Sequence, residues 1–185
     1  MKTWSIVIGF SLVFATLVGI ILWYEREDST NIFEYYELEG LSIQEKVERL
    51  DQLILNPDWI AAGVRANELE IKTLEGDFIY SLEDELFYLS FAPYINSTHP
   101  CFNHNLVTCR GELAEKTVYV HIETALGEVL YNEEMTMYEN GFKGVWLPRN
   151  QEMTITIQYN DLEVQHTFVT TDTLGTCLTE ELRLS

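Results

Sequence analysis

Five side chains carry most of the metal and redox chemistry available to this 185-residue chain. Cys101 and Cys109, with His99 and His104, fall within 11 consecutive residues, and the third and last cysteine is Cys177 near the C-terminus. Thiolates and imidazoles are ligands for soft and borderline metal ions. Asn96, Pro93 and Pro100 mark the stretch around Cys101 as a loop, the usual place for a site on a rigid scaffold.

Three chemistries are open to this set. The first is a Cys101–Cys109 disulfide, since the two are close in sequence; Cys177 would then be left over. The second is zinc held by Cys101, His104, Cys109 and Cys177, although the spacing matches no standard finger. The third is copper as Cu(I), a soft ion that three converging thiolates satisfy, with His99 or His104 as auxiliary ligands. Thiols can also reduce Cu(II) before capturing Cu(I), although no enzymatic activity is expected. His121 lies on the polar phase of its strand, whereas His166 lies on the apolar phase and reads as a core histidine. Met135 and Met137 read as core filler rather than as ligands. There is no CxxC pair, phosphate loop, Ser-His-Asp elbow or H-E-x-x-H helix.

The elements that must position these residues are mostly short strands. From about Glu68 apolar residues alternate, as in Phe78-Tyr80-Leu82, Val118-Val120-Ile122, Met153-Ile155-Ile157 and Leu162-Val164-His166-Phe168. Leu86–Phe91 is a continuous apolar run broken only by Ser90. Glu75-Gly76-Asp77, Gly127, Asn140-Gly141 and Asn160-Asp161 supply turn signals, with Asn140-Gly141 the strongest hairpin dipeptide. The expected fold is mainly β, an antiparallel sandwich-like domain. Ahead of it, Ser42 and Glu45 form a capping box. Ile43, Val47, Leu50 and Ile54 follow at helical spacing, and Asn56-Pro57-Asp58 closes a helix of about 13 residues.

The N-terminus has a different character. Residues 3–24 contain no charged side chain and as a helix would span roughly 33 Å, enough for a bilayer core. Trp4 and Trp23-Tyr24 stand near its two ends, as interfacial rings do. The stretch ends in bulky residues rather than in a small-residue cleavage site, which favours an uncleaved anchor over a signal peptide. Lys2 on the N-terminal flank places the remainder outside the cytoplasm. The expected organisation is a transmembrane anchor at 1–24, an acidic linker with a short amphipathic helix at 25–66, and a β-rich metal-binding domain at 67–185.

Charge narrows the partners. The chain has 30 acidic and 11 basic residues, a net charge of -19. Splitting off the anchor removes only Lys2 and leaves 10 basic residues, a net of -20. Nucleic acid is excluded as a partner, because its phosphates need clustered Lys and Arg.

Several motifs carry a resemblance. Phe87-Tyr88-Leu89-Ser90-Phe91-Ala92-Pro93-Tyr94, Thr98-His99-Pro100-Cys101, the seven-residue gap to Cys109, and Gly111-Glu112-Leu113 resemble the CueP family. Asn140-Gly141-Phe142, Trp146-Leu147-Pro148-Arg149 and Thr176-Cys177-Leu178 extend the similarity over roughly residues 65–185. That family comprises bacterial extracytoplasmic copper-binding proteins of copper resistance. The resemblance implies copper ligation by Cys101, Cys109 and Cys177, and a role in resistance, buffering or delivery to a client protein. The best-known members are released to the periplasm. An anchored chain departs from them and would hold its site at the outer face of a bacterial cell membrane. The competing expectation is a disulfide-stapled extracellular interaction domain without a metal.

Overall fold

The computed structural model describes residues 31–82 and 85–185. The expected transmembrane segment lies outside the described residues; among those described, no helix is long and apolar enough to cross a membrane. The chain divides after Glu37, and the body from Leu38 to Ser185 is one compact unit. The described residues ahead of it contain one helical turn, α1 (Ile32–Tyr35), capped by the Asn31 side chain.

The body opens with α2 (Ile43–Gln52). The capping box is formed: Glu45 N donates to Ser42 Oγ at 3.3 Å, and Ser42 N donates back to Glu45 Oε2 at 2.8 Å. The helix stops at Gln52, earlier than expected. Ile54 therefore falls beyond it and is exposed, while Val47 and Leu50 are buried.

Eleven strands follow among the described residues. β1 (Ile60–Arg65), β2 (Glu68–Thr73) and β3 (Gly76–Ser81) form an antiparallel meander, and the two-residue β5 (His104–Asn105) joins the free side of β1. β1 begins seven residues before the expected β-rich region. A second sheet has the order β10-β9-β6-β7, from Leu162–Val169, Glu152–Tyr159, Thr117–Thr124 and Val129–Thr136. The third has the order β11-β4-β8, from Cys177–Leu178, Leu86–Phe91 and Lys143–Pro148.

The second and third sheets share one apolar core. Val118, Val120 and Ile122 of β6 and Met153, Ile155 and Ile157 of β9 meet Phe87, Leu89 and Phe91 of β4 and Val145 and Leu147 of β8. The period-two patterning of β6 and β9 buries every second side chain, as alternation demands. The fold is mainly β and mostly antiparallel, as expected. Met135 and Met137 belong to this core, in agreement with their reading as filler. His166 does not: it is half-buried on β10, an edge strand whose only buried residue is Phe168.

Two features depart from hairpin logic. β11 pairs with β4 in parallel, Cys177 opposite Ser90 and Leu178 opposite Phe91. Asn140-Gly141 is a turn, with Gly141 at φ 82°, but it passes from β7 in one sheet to β8 in another. The buried Asn140 side chain serves both the turn, where Oδ1 accepts from Phe142 N at 2.8 Å, and a tertiary contact, where Nδ2 donates to the Asp51 carbonyl.

Candidate metal centre

β4 is the strand on which the centre is built. It is paired on both edges, and both of its faces are buried. One face, Phe87-Leu89-Phe91, enters the apolar core, and the other presents Tyr88 and Ser90. The unbroken apolar run from Leu86 to Phe91 is the sequence mark of a strand buried on both sides.

The loop after β4 brings Cys101 back along it. Glu112 clamps this loop: its carboxylate accepts from Ile95 N at 2.8 Å, Asn96 N at 2.9 Å, Ser97 N at 3.2 Å and Asn96 Nδ2 at 2.7 Å. Though burial opposes it, these donors hold the Glu112 carboxyl down at about 2. Residue 104 is then captured by β1, in register with Val64, and His104 N donates to Thr176 Oγ1 at 3.0 Å. Asn105 turns the chain: its side chain accepts from Val107 N and Thr108 N, and its carbonyl from Cys109 N at 3.1 Å. That turn folds Cys109 back toward Cys101.

Cys177 arrives on β11. Ser90 N donates to Thr176 O, Ala92 N to Leu178 O, and Cys177 N to Phe102 O at 3.1 Å. Gly175 is needed for this approach, because a Cβ there would collide with the Phe102 carbonyl.

The outcome is one cluster of four ligand-bearing residues. One atom each from Cys101, His104, Cys109 and Cys177 lies within 4.8 Å of the others, and all but Cys101 are buried. His99 lies outside this group. Its half-buried ring is 6.1 Å from that of Phe142 and interacts with the Cys109 thiol. His121 sits apart on β6, hydrogen-bonded to Asn132.

The disulfide differs from the local pairing considered from the sequence. Cys101 is joined to Cys177 across 76 residues, with Cα atoms 5.6 Å apart. Cys109 is a buried free thiol whose Sγ is 3.3 Å from that of Cys101. The parallel β11–β4 pairing, which no local pattern announces, is what carries Cys177 to Cys101. All three sulfurs therefore share one place, with Cys101 between its two possible partners.

Beneath the sulfurs lies a polar network that sequence reasoning did not find. Asp51 of α2 is wholly buried, as is His104. His104 Nε2 is 2.7 Å from Asp51 Oδ1. Tyr88 Oη donates to Asp51 Oδ2 at 2.5 Å, Ser90 Oγ to Oδ2 at 3.3 Å, and Asn140 Nδ2 to Oδ1 at 3.1 Å. Asn140 Nδ2 also donates to the Asp51 carbonyl at 2.9 Å. Tyr88 reaches across Gly144, where a Cβ would strike the phenol. One signal did mark Asp51: it follows Val47 by four residues, on the apolar stripe of α2, where an acid is out of place.

The electrostatics follow from this packing. Burial opposes charge on Asp51, yet the His104 charge and the donors around it hold its pKa below the usual value. Burial likewise opposes the imidazolium, but the Asp51 charge and hydrogen bond, with the Cys109 sulfur, push His104 up to about 9. Against its own burial, interactions with His104 and then His99 bring the Cys109 thiol down to about 7. Buried ionisable groups survive only when paired in this way.

A comparison with curated proteins returns no match. Among solved structures, one described as the crystal structure of S.CueP superposes with a TM-score of 0.77 at 39% identity, covering 86% of this chain and 98% of that one. The family model for the periplasmic copper-binding protein CueP matches residues 45–182, from within α2 into the C-terminal tail. The chain belongs to the CueP family of periplasmic copper-binding proteins.

Proposed function

We propose that the chain binds copper as Cu(I) through the thiolates of Cys101, Cys109 and Cys177, with the His104 imidazole as a fourth ligand. It would serve copper resistance by buffering the ion or passing it to a client protein. The observation that carries this reading is the convergence of these four residues within 4.8 Å, with the three cysteines in a small apolar cluster with Ala92 and Phe142 and the His104 ring against Phe142. Soft sulfur donors shielded from water suit Cu(I) over hard divalent ions. Three thiolates and one imidazole also form a tetrahedral set that zinc accepts, so zinc is the competing cargo. His99 stands at the rim as an auxiliary group acting on Cys109.

The Cys101–Cys177 disulfide is the oxidised form of this site. Adding two electrons and two protons to it yields the two thiols. In the reverse direction, the two thiols can reduce two Cu(II) to two Cu(I), forming the disulfide and releasing two protons. The apolar stretch at residues 3–24 would tether the site to the outer face of the cell membrane.

The disulfide itself favours the second reading, a stapled interaction domain without a metal role. Anaerobic reduction followed by thiol titration, with and without Cu(I), separates the two. The copper reading expects three thiols per chain to become unreactive when one equivalent of Cu(I) is added. Three thiols that stay reactive, with no copper retained on desalting, support the staple.

A further inference from the structure

The carboxylate at the bottom of the centre belongs to neither the cysteine loop nor the C-terminal tail. Asp51 comes from α2, 53 residues before His104, and nothing exposes it to water. Every side-chain group bonded to it from the surrounding elements is a donor: Tyr88 and Ser90 from β4, and Asn140 from the turn before β8. A carboxylate held this way only accepts hydrogen bonds. His104 Nε2, at 2.7 Å from Oδ1, must therefore carry a proton. The other ring nitrogen, Nδ1, is buried and forms no hydrogen bond of ordinary geometry among the described residues, although the Cys109 sulfur acts on the ring. A buried nitrogen without a partner is costly and demands a reason. Here one is at hand, since a ring nitrogen of His104 lies within 4.8 Å of the three sulfurs and Nε2 is already committed to Asp51.

We infer that Asp51 is the positioning residue of the metal centre, holding His104 so that Nδ1 is the nitrogen offered to the ion. The inference rests on the reading of His104 as a copper ligand and adds the nitrogen used and the group that dictates it. A carboxylate on the far nitrogen fixes both the tautomer and the ring orientation of a ligating histidine. Tyr88, Ser90 and Asn140 hold the carboxylate in turn, so the reach of the centre extends into α2. The helix earns its place in the fold as the carrier of this one side chain as well as by the packing of Val47 and Leu50.

Cu(I) is diamagnetic, so the test is direct. Reduced, 15N-histidine-labelled protein is titrated anaerobically with Cu(I) while long-range 1H–15N spectra are recorded. The expected result is a Cu(I)-dependent shift of His104 Nδ1, with Nε2 still protonated. A copper-dependent shift of Nε2, with the proton on Nδ1, overturns the proposal. If neither nitrogen responds while three thiols are protected, the proposal falls and His104 leaves the ligand set, but the thiolate reading stands. If the thiols are unprotected as well, the copper reading itself falls. The second arm is a double-mutant cycle. Asp51→Asn and His104→Ala should each weaken Cu(I) affinity by about 10–100-fold, and the double variant no further than His104→Ala alone. Additive losses would mean that Asp51 acts through general structure rather than through His104. The wild-type spectra decide the matter even if Asp51→Asn does not fold.

Discussion

The two faces of β4 are built on opposite rules. Phe87, Leu89 and Phe91 face an interior of aliphatic and aromatic side chains drawn from two sheets. Tyr88 and Ser90, interleaved with them, face the buried Asp51 carboxylate, which in turn holds His104 of the sulfur cluster. The apolar face depends on total volume and close packing, in which neighbours of similar size can substitute for one another. The polar face depends on individual atoms, since each buried donor or charge that loses its partner is left uncompensated. A change on the first face should therefore cost stability and spare the metal chemistry, whereas a change on the second should do the reverse or both.

Leu89→Ala should show the largest loss of stability, about 2–5 kcal/mol in denaturant unfolding. Folded Leu89→Ala protein should still protect three thiols with Cu(I). A changed thiol count would break the separation between the faces. Cys177→Ser should leave unfolding of the reduced protein much less affected but lower Cu(I) affinity on the order of 100-fold or more, since loss of an outer partner alone costs about 10–100-fold. A chelator competition assay reads this, and unchanged affinity would remove Cys177 from the ligand set. Tyr88→Phe sharpens the comparison because it changes one atom on the polar face. It removes a hydrogen bond to a buried carboxylate, about 1.5–3 kcal/mol, and should also weaken Cu(I) binding through Asp51.

Smaller effects concern pH. In the metal-free disulfide form, the Cys109 thiolate, with a pKa of about 7, faces the His104 imidazolium, with a pKa of about 9. Cys109 is depressed from 9.0, so its contribution to stability is lost as pH falls through 7. His104 is raised from 6.5, so its contribution is lost as pH rises through 9. Thermal unfolding should therefore show this pair's stabilisation best developed between those values, and Cys109→Ser should flatten the profile. Cu(I) binding should weaken as pH falls, first below about 9, where a proton competes for His104, and more steeply below about 7, where one competes for the Cys109 thiolate. Glu112 is depressed from 4.5 to about 2, so its clamp on Ile95–Ser97 is complete above 4.5 and lost as pH falls toward 2. Hydrogen exchange at those three amides should rise in Glu112→Gln with little change in global stability.

The sandwich was legible because alternation is local. Val118-Val120-Ile122 and Met153-Ile155-Ile157 announce one buried face each, and real hairpins close at Asn160-Asp161 and just before Gly76. β1 was not legible, because Ala61-Ala62-Gly63 has little of the β-branched or aromatic character that marks strands. β11 is two residues long, and its parallel pairing with β4 joins segments far apart in the chain. The location of the three cysteines was readable from residue type and resemblance, but their pairing was not. The polar network was the least visible part. Asn140 carries an ordinary reading as a turn residue, and Asp51, though out of place on an apolar stripe, names no partner. Their shared role exists only once β4 and the β7–β8 crossing bring them together.

Copper X-ray absorption on the anaerobically reduced protein, loaded with one equivalent of Cu(I), tests the central claim most directly. The account predicts a first coordination sphere of three sulfurs and one nitrogen, with the nitrogen lost in His104→Ala and one sulfur lost in Cys177→Ser. A sphere of nitrogen and oxygen alone, or one unchanged by either substitution, would contradict it.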